Sequence, residues 1–255
     1  MAAVMREERL IDDGEGTPET TWRPWLQMAL VTPVTAEALV PEGSRAVVVA
    51  PHPDDEVLAV GGLLAQLSAM EREVCVVAVT DGTASHPGSR QWPAHELARV
   101  RPIETRRALQ RLGVPDEPVR LGFPDGGLQA LRGLLAETLL PLLRADDVVF
   151  TTWRMDGHPD HEATGHACAF AAARVGARLI EVPVWAWHWA TPGDPRMPWR
   201  RARRLPLDAE TSRRKRRAVQ AFESQLQLDH STGAGPILRA STVERAARPF
   251  EVLFA

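Results

Sequence analysis

The sequence predicts an α/β protein of three layers, α/β/α, built on a mostly parallel sheet. An N-terminal extension precedes this core and an irregular C-terminal elaboration follows it. Two observations carry the prediction. Short, nearly continuous apolar runs alternate with segments of helical length and pattern, as expected of parallel strands buried on both faces. Polar, histidine- and aspartate-rich turns follow two of those runs, where ligands bind in open parallel sheets.

The elements follow in order. Residues 1–44 carry scattered proline, glycine and acid without clear periodicity. They are expected to pack in part on the domain through Trp22, Trp25 and Leu26. The run RAVVVA, 45–50, is the first core strand. After the turn PHPDD, residues 56–70 have a helical pattern that Asp54 or Asp55 can cap. Residues 73–80 read as a strand. Residues 95–114 read as a helix whose Pro102 sits in its first turn or kinks it. Residues 119–123 read as a strand, 128–144 as a helix and 147–153 as a strand. Residues 161–175 form a helix stopped by Gly176. Residues 178–189 read as a last strand, with Trp185, Trp187 and Trp189 alternating onto one face. Proline and arginine then dominate to about residue 207, before a helix over 209–227 and an irregular tail. The alternation is Rossmann-like. The expected division is an extension, 1–44, and a domain, 45–255, whose motifs lie within 45–190.

Composition narrows the partners. The chain has 255 residues, 44% of them apolar, enough for one sizeable core, and a formal net charge of −3. Neither nucleic acid nor a membrane surface is expected as a partner. No apolar run reaches the roughly 20 residues of a membrane span. Residues 6–19 are too acidic for a secretory leader. Cys75 and Cys168 sit in apolar runs and read as reduced core residues, which fits a cytoplasmic setting. Gly61-Gly62 reads as close packing against the sheet, since it lies inside a helix and lacks a G-x-G-x-x-G context. The run Arg213-Arg214-Lys215-Arg216-Arg217 reads as a solvated helix face. A homo-oligomer is left open.

The chemistry lies in Pro51-His52-Pro53-Asp54-Asp55-Glu56 and Asp156-Gly157-His158-Pro159-Asp160-His161-Glu162. Both follow strands, so both can meet in one crevice. Two imidazoles and a carboxylate leave coordination positions open, as in catalytic zinc sites, and the same set binds Fe(II). A spare carboxylate supplies the base that hydrolysis needs. Residue type alone does not decide which histidines bind.

These clusters resemble the signatures of the PIG-L/LmbE family of zinc-dependent N-deacetylases. Further matches are Thr80-Asp81-Gly82, the Arg101-Pro-Ile-Glu104 helix running to Leu112-Gly113-Val114, and Leu121-Gly122-Phe123-Pro124-Asp125-Gly126. Two positions depart from the pattern: Thr83 replaces a frequent glutamate, and Asp156 stands where some members have tyrosine.

The resemblance implies that His52, Asp55 and His161 bind the metal, Zn²⁺ with Fe²⁺ as the other option. It implies that Asp54 is the general base, that His158 steadies the oxyanion and that Asp160 orients a histidine. His158 as third ligand in place of His161 is the alternative. The implied substrate contacts are Arg101 and Asp125. Asp81 is added from its motif, and Trp187 and His188 from their place at the end of the last strand. The implied activity is hydrolysis of an N-acyl, most simply N-acetyl, group on an amino sugar or glycoside, in secondary-metabolite or thiol-cofactor biosynthesis. Competing readings are an amidase acting on another amide such as a thiol conjugate, a non-catalytic binding protein with this fold, and an Fe(II) oxygenase.

Overall fold

A computed structural model describes residues 9–29 and 31–255; the opening of the expected extension, residues 1–8, lies outside the described residues, as does part of the segment tested for a leader. In chain order the elements are α1 (Glu19–Met28), β1 (Thr32–Pro33), α2 (Ala36–Leu39), β2 (Arg45–Ala50), α3 (Asp55–Ala69), β3 (Val74–Thr80), α4 (Ala94–Leu112) and β4 (Val119–Phe123). Then come α5 (Leu128–Leu139), β5 (Asp147–Thr152), α6 (Pro159–Val175), β6 (Arg178–Val182), α7 (Ala186–Trp189), β7 (Ala202–Pro206), α8 (Ala209–Val219), α9 (Glu223–Leu226), α10 (Ala240–Ala246) and β8 (Phe250–Phe254).

One eight-stranded sheet has the order β1-β7-β8-β6-β5-β2-β3-β4. From β4 to β6 the neighbours pair in parallel, and β8 is antiparallel to both β6 and β7. The chain leaves β4 at one edge and returns beside β2 as β5. That reversal opens a crevice at the carboxyl ends of β2 and β5. Alternate residues of the strands serve opposite layers. Ala46, Val48, Val74 and Val76 pack with α3, α4 and α8, whereas Val47, Val49, Val77 and Val149 pack with α5 and α6.

The C-terminal half departs from expectation in four places. The strand expected over 178–189 ends at Val182, and α7 replaces its second half. Pro183 has no N–H, and the amides of Val184, Trp185 and Ala186 donate to the Asp156 carboxylate at 2.9 Å each instead of to a neighbouring strand. The helix expected over 209–227 breaks into α8 and α9, and the one expected over 128–144 ends in a 3₁₀ turn at Leu140–Leu142, which contains Pro141. The tail is not irregular throughout: β8 inserts between β6 and β7.

Part of the extension is structured. Trp22 and Leu26 of α1 are fully buried, with the Trp22 ring edge-on to Trp187 at 5.0 Å and its Nε1 donating to the Trp187 carbonyl. Among the described residues, no helix is long and apolar enough to cross a membrane. Cys75 and Cys168 are free thiols, and burial pushes the Cys168 pKa up to about 12.

Helix α3 is interrupted at Val60, where φ is −134° and ψ 22°. The Leu58 carbonyl accepts from Lys215 Nζ at 3.0 Å, and the amides of Gly62 and Leu63 donate to Glu251 at 2.6 and 2.9 Å. Lys215 and Glu251 join at 2.6 Å, so a buried ion pair stands in for one rung of the helix. Lys215 is thus no part of a solvated face. A Cβ on Gly62 would stand 2.5 Å from Leu207 and 2.9 Å from Glu251, which explains the glycine. Glu251→Leu orphans the Lys215 ammonium and two amides, and an expected loss of about 3–5 kcal/mol in urea unfolding follows. Adding Lys215→Met should restore part of that loss; an unchanged midpoint for Glu251→Leu would show the pair to be inert.

Candidate active site

The turn after β2 carries His52 and Asp54, and Asp55 opens α3. The turn after β5 carries Asp156 and His158, and His161 lies in the first turn of α6. Because β2 and β5 are adjacent, the two turns meet. His52 Nδ1 stands 3.3 Å from His161 Nε2, and Asp55 Oδ2 stands 3.3 Å from the first and 3.2 Å from the second. His158 is near this triangle: one nitrogen from each of His52, His158 and His161 fall within 4.8 Å of one another.

Each of the two facing imidazoles has a carboxylate behind it. His52 Nε2 lies 3.3 Å from both Asp125 Oδ1 and Asp160 Oδ2. Asp160 is itself held by the amides of Gly126 at 2.7 Å and Leu128 at 3.1 Å. His161 Nδ1 lies 2.8 Å from Asp156 Oδ2. Asp156 is fully buried and is the partner that sequence reasoning missed. Its other contacts, the amides of residues 184–186, lie about thirty positions further on, so no local pattern reveals it.

The electrostatics concentrate positive charge at the triangle. Burial opposes protonation of His52, but hydrogen bonds from the ring to Asp125, Asp160 and Asp55 hold its pKa well above the usual imidazole value. Burial likewise opposes the His161 proton, yet Asp55 and Asp156 raise its pKa to about 9. Despite its own burial, Asp55 is held far below the ordinary carboxylate range by His161 and His52. His158 behaves oppositely, since burial and the two neighbouring imidazoles lower its pKa to about 3. Burial and the charge of Asp55 push Asp54 well above the usual range, with Arg101 opposing.

Asp54 adopts φ 137° and ψ −29°, a left-handed conformation rare for a residue with a Cβ. Beside it, Arg101 is 2% exposed and its Nε and Nη2 have no hydrogen-bond partner among the described residues. Gly82, at φ 65°, makes room for it, because a Cβ there would overlap the guanidinium.

His52, Asp54, Asp55, Arg101, Asp125, His158 and His161 line one cleft of about 290 Å³. Three residues expected there lie elsewhere. Asp81 pairs with Arg120 at 2.7 Å beyond the β3 edge. Trp187 is buried in the tryptophan cluster under Arg248, whose guanidinium sits 4.4 Å from the ring. His188 faces Asp12 at 3.1 Å. The turn of α7 explains both displacements, since it rotates Trp185 toward the cleft in place of Trp187. Trp185 lies stacked near His158, with 6.2 Å between ring centroids.

The PIG-L profile, GlcNAc-PI de-N-acetylase, matches residues 47–172. Residues 47–172 are a PIG-L domain. Two bacterial proteins named 1D-myo-inositol 2-acetamido-2-deoxy-alpha-D-glucopyranoside deacetylase are similar to the chain. The one from Mycolicibacterium gilvum is 31% identical over 172 residues, 57% of this chain and 59% of its own length. The one from Nocardia farcinica is 28% identical over 162 residues, 53% and 54% respectively. The chain therefore spans little more than half the length of these relatives. Among solved structures, the A40926 pseudoaglycone deacetylase Dbv21 is 25% identical, with a TM-score of 0.57 over 83% of this chain and 96% of that one. The PIG-L domain holds both motif turns, Arg101 and Asp125. Trp185, Ile237, Leu238, Thr242 and Arg245 complete the cleft from outside the matched segment.

Proposed function

We propose that the protein hydrolyses an N-acyl group, most simply N-acetyl, from an amino sugar or glycoside, with a divalent cation held by His52, Asp55 and His161. The triangle of donor atoms carries this reading. Ligands about 2.0–2.2 Å from a tetrahedral ion stand roughly 3.3–3.6 Å apart, close to the 3.2–3.3 Å separations here. The carboxylates that would hold protons on His52 and His161 favour a dication equally well. Zn²⁺ suits two nitrogens and one oxygen, and Fe²⁺ accepts the same set. Such an ion supplies a Lewis acid that acidifies water and polarises a carbonyl.

The chain's own groups do the rest. Asp54 takes the proton of the attacking water and returns it to the amide nitrogen as the C–N bond breaks, giving a carboxylate and an amine. The amide of Asp160 donates to His158 Nδ1 at 3.2 Å, so the single ring proton of the neutral imidazole sits on Nε2. From there it can donate to the oxyanion of the tetrahedral intermediate, a contact worth roughly 3–4 kcal/mol. Asp125, Asp160 and Asp156 fix the rings behind the metal-facing atoms.

The test is incubation of zinc- or iron-loaded protein with a panel of N-acetyl glycosides, following acetate release and free amine. Turnover abolished by a chelator and restored by the metal is the expected result. Metal-loaded protein that releases no amine from any N-acyl compound would overturn the reading.

A further inference from the structure

A second, small cavity of about 50 Å³ adjoins the cleft, and the two share a wall of Leu58, Val184, Thr242 and Arg245. Three nearly buried cations line the second cavity: Lys215, Arg245 and Arg248. Two of them are neutralised. Lys215 joins Glu251 at 2.6 Å, and Arg248 grips Glu19 at 2.7–3.1 Å. Arg245, 9% exposed, has no carboxylate within ion-pair distance among the described residues. Its Nη2 donates to the carbonyls of Glu15 and Thr17 at 2.9 Å each, and its Nε has no partner among the described residues. Carbonyl contacts orient a guanidinium without cancelling its charge. A buried cation left in that state destabilises the free protein unless a ligand completes it.

At the other end of the cleft charges of both signs lie together, Asp54, Asp55 and Asp125 beside the imidazoles and Arg101. An anionic group on the substrate can therefore pair with Arg245 at its own end of the cleft. Burial and the neighbouring Arg248 bring the Arg245 pKa down to about 10 against the more distant charges of Glu19, Glu15 and Glu244, which leaves it protonated at neutral pH.

We propose that Arg245 is a specificity-determining residue that receives an anionic group, carboxylate or phosphate, on the part of the N-acyl amino sugar remote from the acyl group. The proposal rests on the deacylase reading above. It is tested with metal-loaded protein and three N-acetylglucosaminides, carrying 4-carboxyphenyl, 4-phosphonophenyl or neutral 4-carbamoylphenyl aglycones. At least one anionic glycoside should exceed the neutral one by about tenfold or more in kcat/KM, chiefly through KM. Arg245→Met should bring that ratio to about one, and Arg245→Lys should keep part of it. The ratio is taken within each variant, so a general loss of folding or activity does not mimic the effect. If Arg245→Met does not fold, the wild-type ratio and Arg245→Lys decide. A wild-type ratio near one for both anions, or a preference that survives Arg245→Met, overturns the proposal. If none of the three glycosides is turned over, calorimetric Kd values decide instead: tighter anion binding that Arg245→Met abolishes sustains Arg245's role, and equal binding, or a preference that survives Arg245→Met, ends it.

Discussion

Asp54→Ala is expected to lower kcat by about 10²–10⁴-fold while the protein keeps its full complement of metal, read by elemental analysis beside a steady-state assay. Asp54 differs from its neighbour Asp55 in what it touches. The Asp55 carboxylate is committed to His52 and His161. The Asp54 side chain caps nothing, lines the cleft, and lies among burial, Asp55 and Arg101, whose effects oppose one another. A carboxyl group whose pKa is raised in this way holds a proton more strongly than an ordinary carboxylate, as a general base must. The backbone says the same. Holding an aspartate at φ 137° stores strain of about 1–3 kcal/mol, which the protein tolerates at the one residue proposed to move protons. Asp54→Gly removes the same base and relieves the strain, so its thermal midpoint should equal or exceed that of wild type while turnover stays lost. Undiminished turnover in either variant would remove Asp54 as the base. A variant that loses its metal would make Asp54 a ligand instead.

The fold was legible where strands are buried on both faces. The runs at 45–50, 73–80 and 147–153 are so uniformly apolar that strand is their natural reading, and the structure buries every residue of β2 and β5. Legibility ended where structure depends on distant partners. Strand β8, FEVLF, is apolar enough to read as a strand in isolation, but its place between β6 and β7 is set by pairing with residues about fifty positions earlier. The alternating tryptophans at 185, 187 and 189 imitate a strand. What makes them a turn is Asp156, whose oxygens take the amides that a strand would have spent on a neighbour. The motif turns were legible as chemistry because the ligating types cluster within a few residues on each strand end. The apolar wall and Arg245 come from beyond residue 172 and carry no such signature. Asp81 shows the converse error: a motif resemblance marked it for substrate, whereas its carboxylate is occupied by Arg120.

The second large effect is expected at Asp156, through a proton rather than a missing atom. Its Oδ1 accepts the amides of Val184 and Ala186, and its Oδ2 accepts that of Trp185 and faces His161 Nδ1. An acceptor at Oδ2 keeps the imidazole proton on Nδ1 and leaves the Nε2 lone pair facing His52 and Asp55. Asp156→Asn with its oxygen kept at the Oδ1 position preserves the bonds to Val184 and Ala186 but puts an NH₂ against His161 and the Trp185 amide. The imidazole then has to accept at Nδ1, its proton moves to Nε2, and the atom proposed to bind metal becomes a donor. The expected result is at least a 10–100-fold loss of zinc affinity in competition with a chromophoric chelator. The accompanying loss of stability is smaller than in Asp156→Ala, which leaves four donors without an acceptor, the two buried ones, of His161 and Ala186, at about 1–3 kcal/mol each. That ordering separates a positioning role from a merely structural one. If Asp156 only holds α7 in place, alanine should be worse than asparagine in both stability and affinity, in proportion. If it sets the tautomer, asparagine should lose affinity out of proportion to its melting temperature, and an asparagine variant that binds zinc like wild type would refute that role.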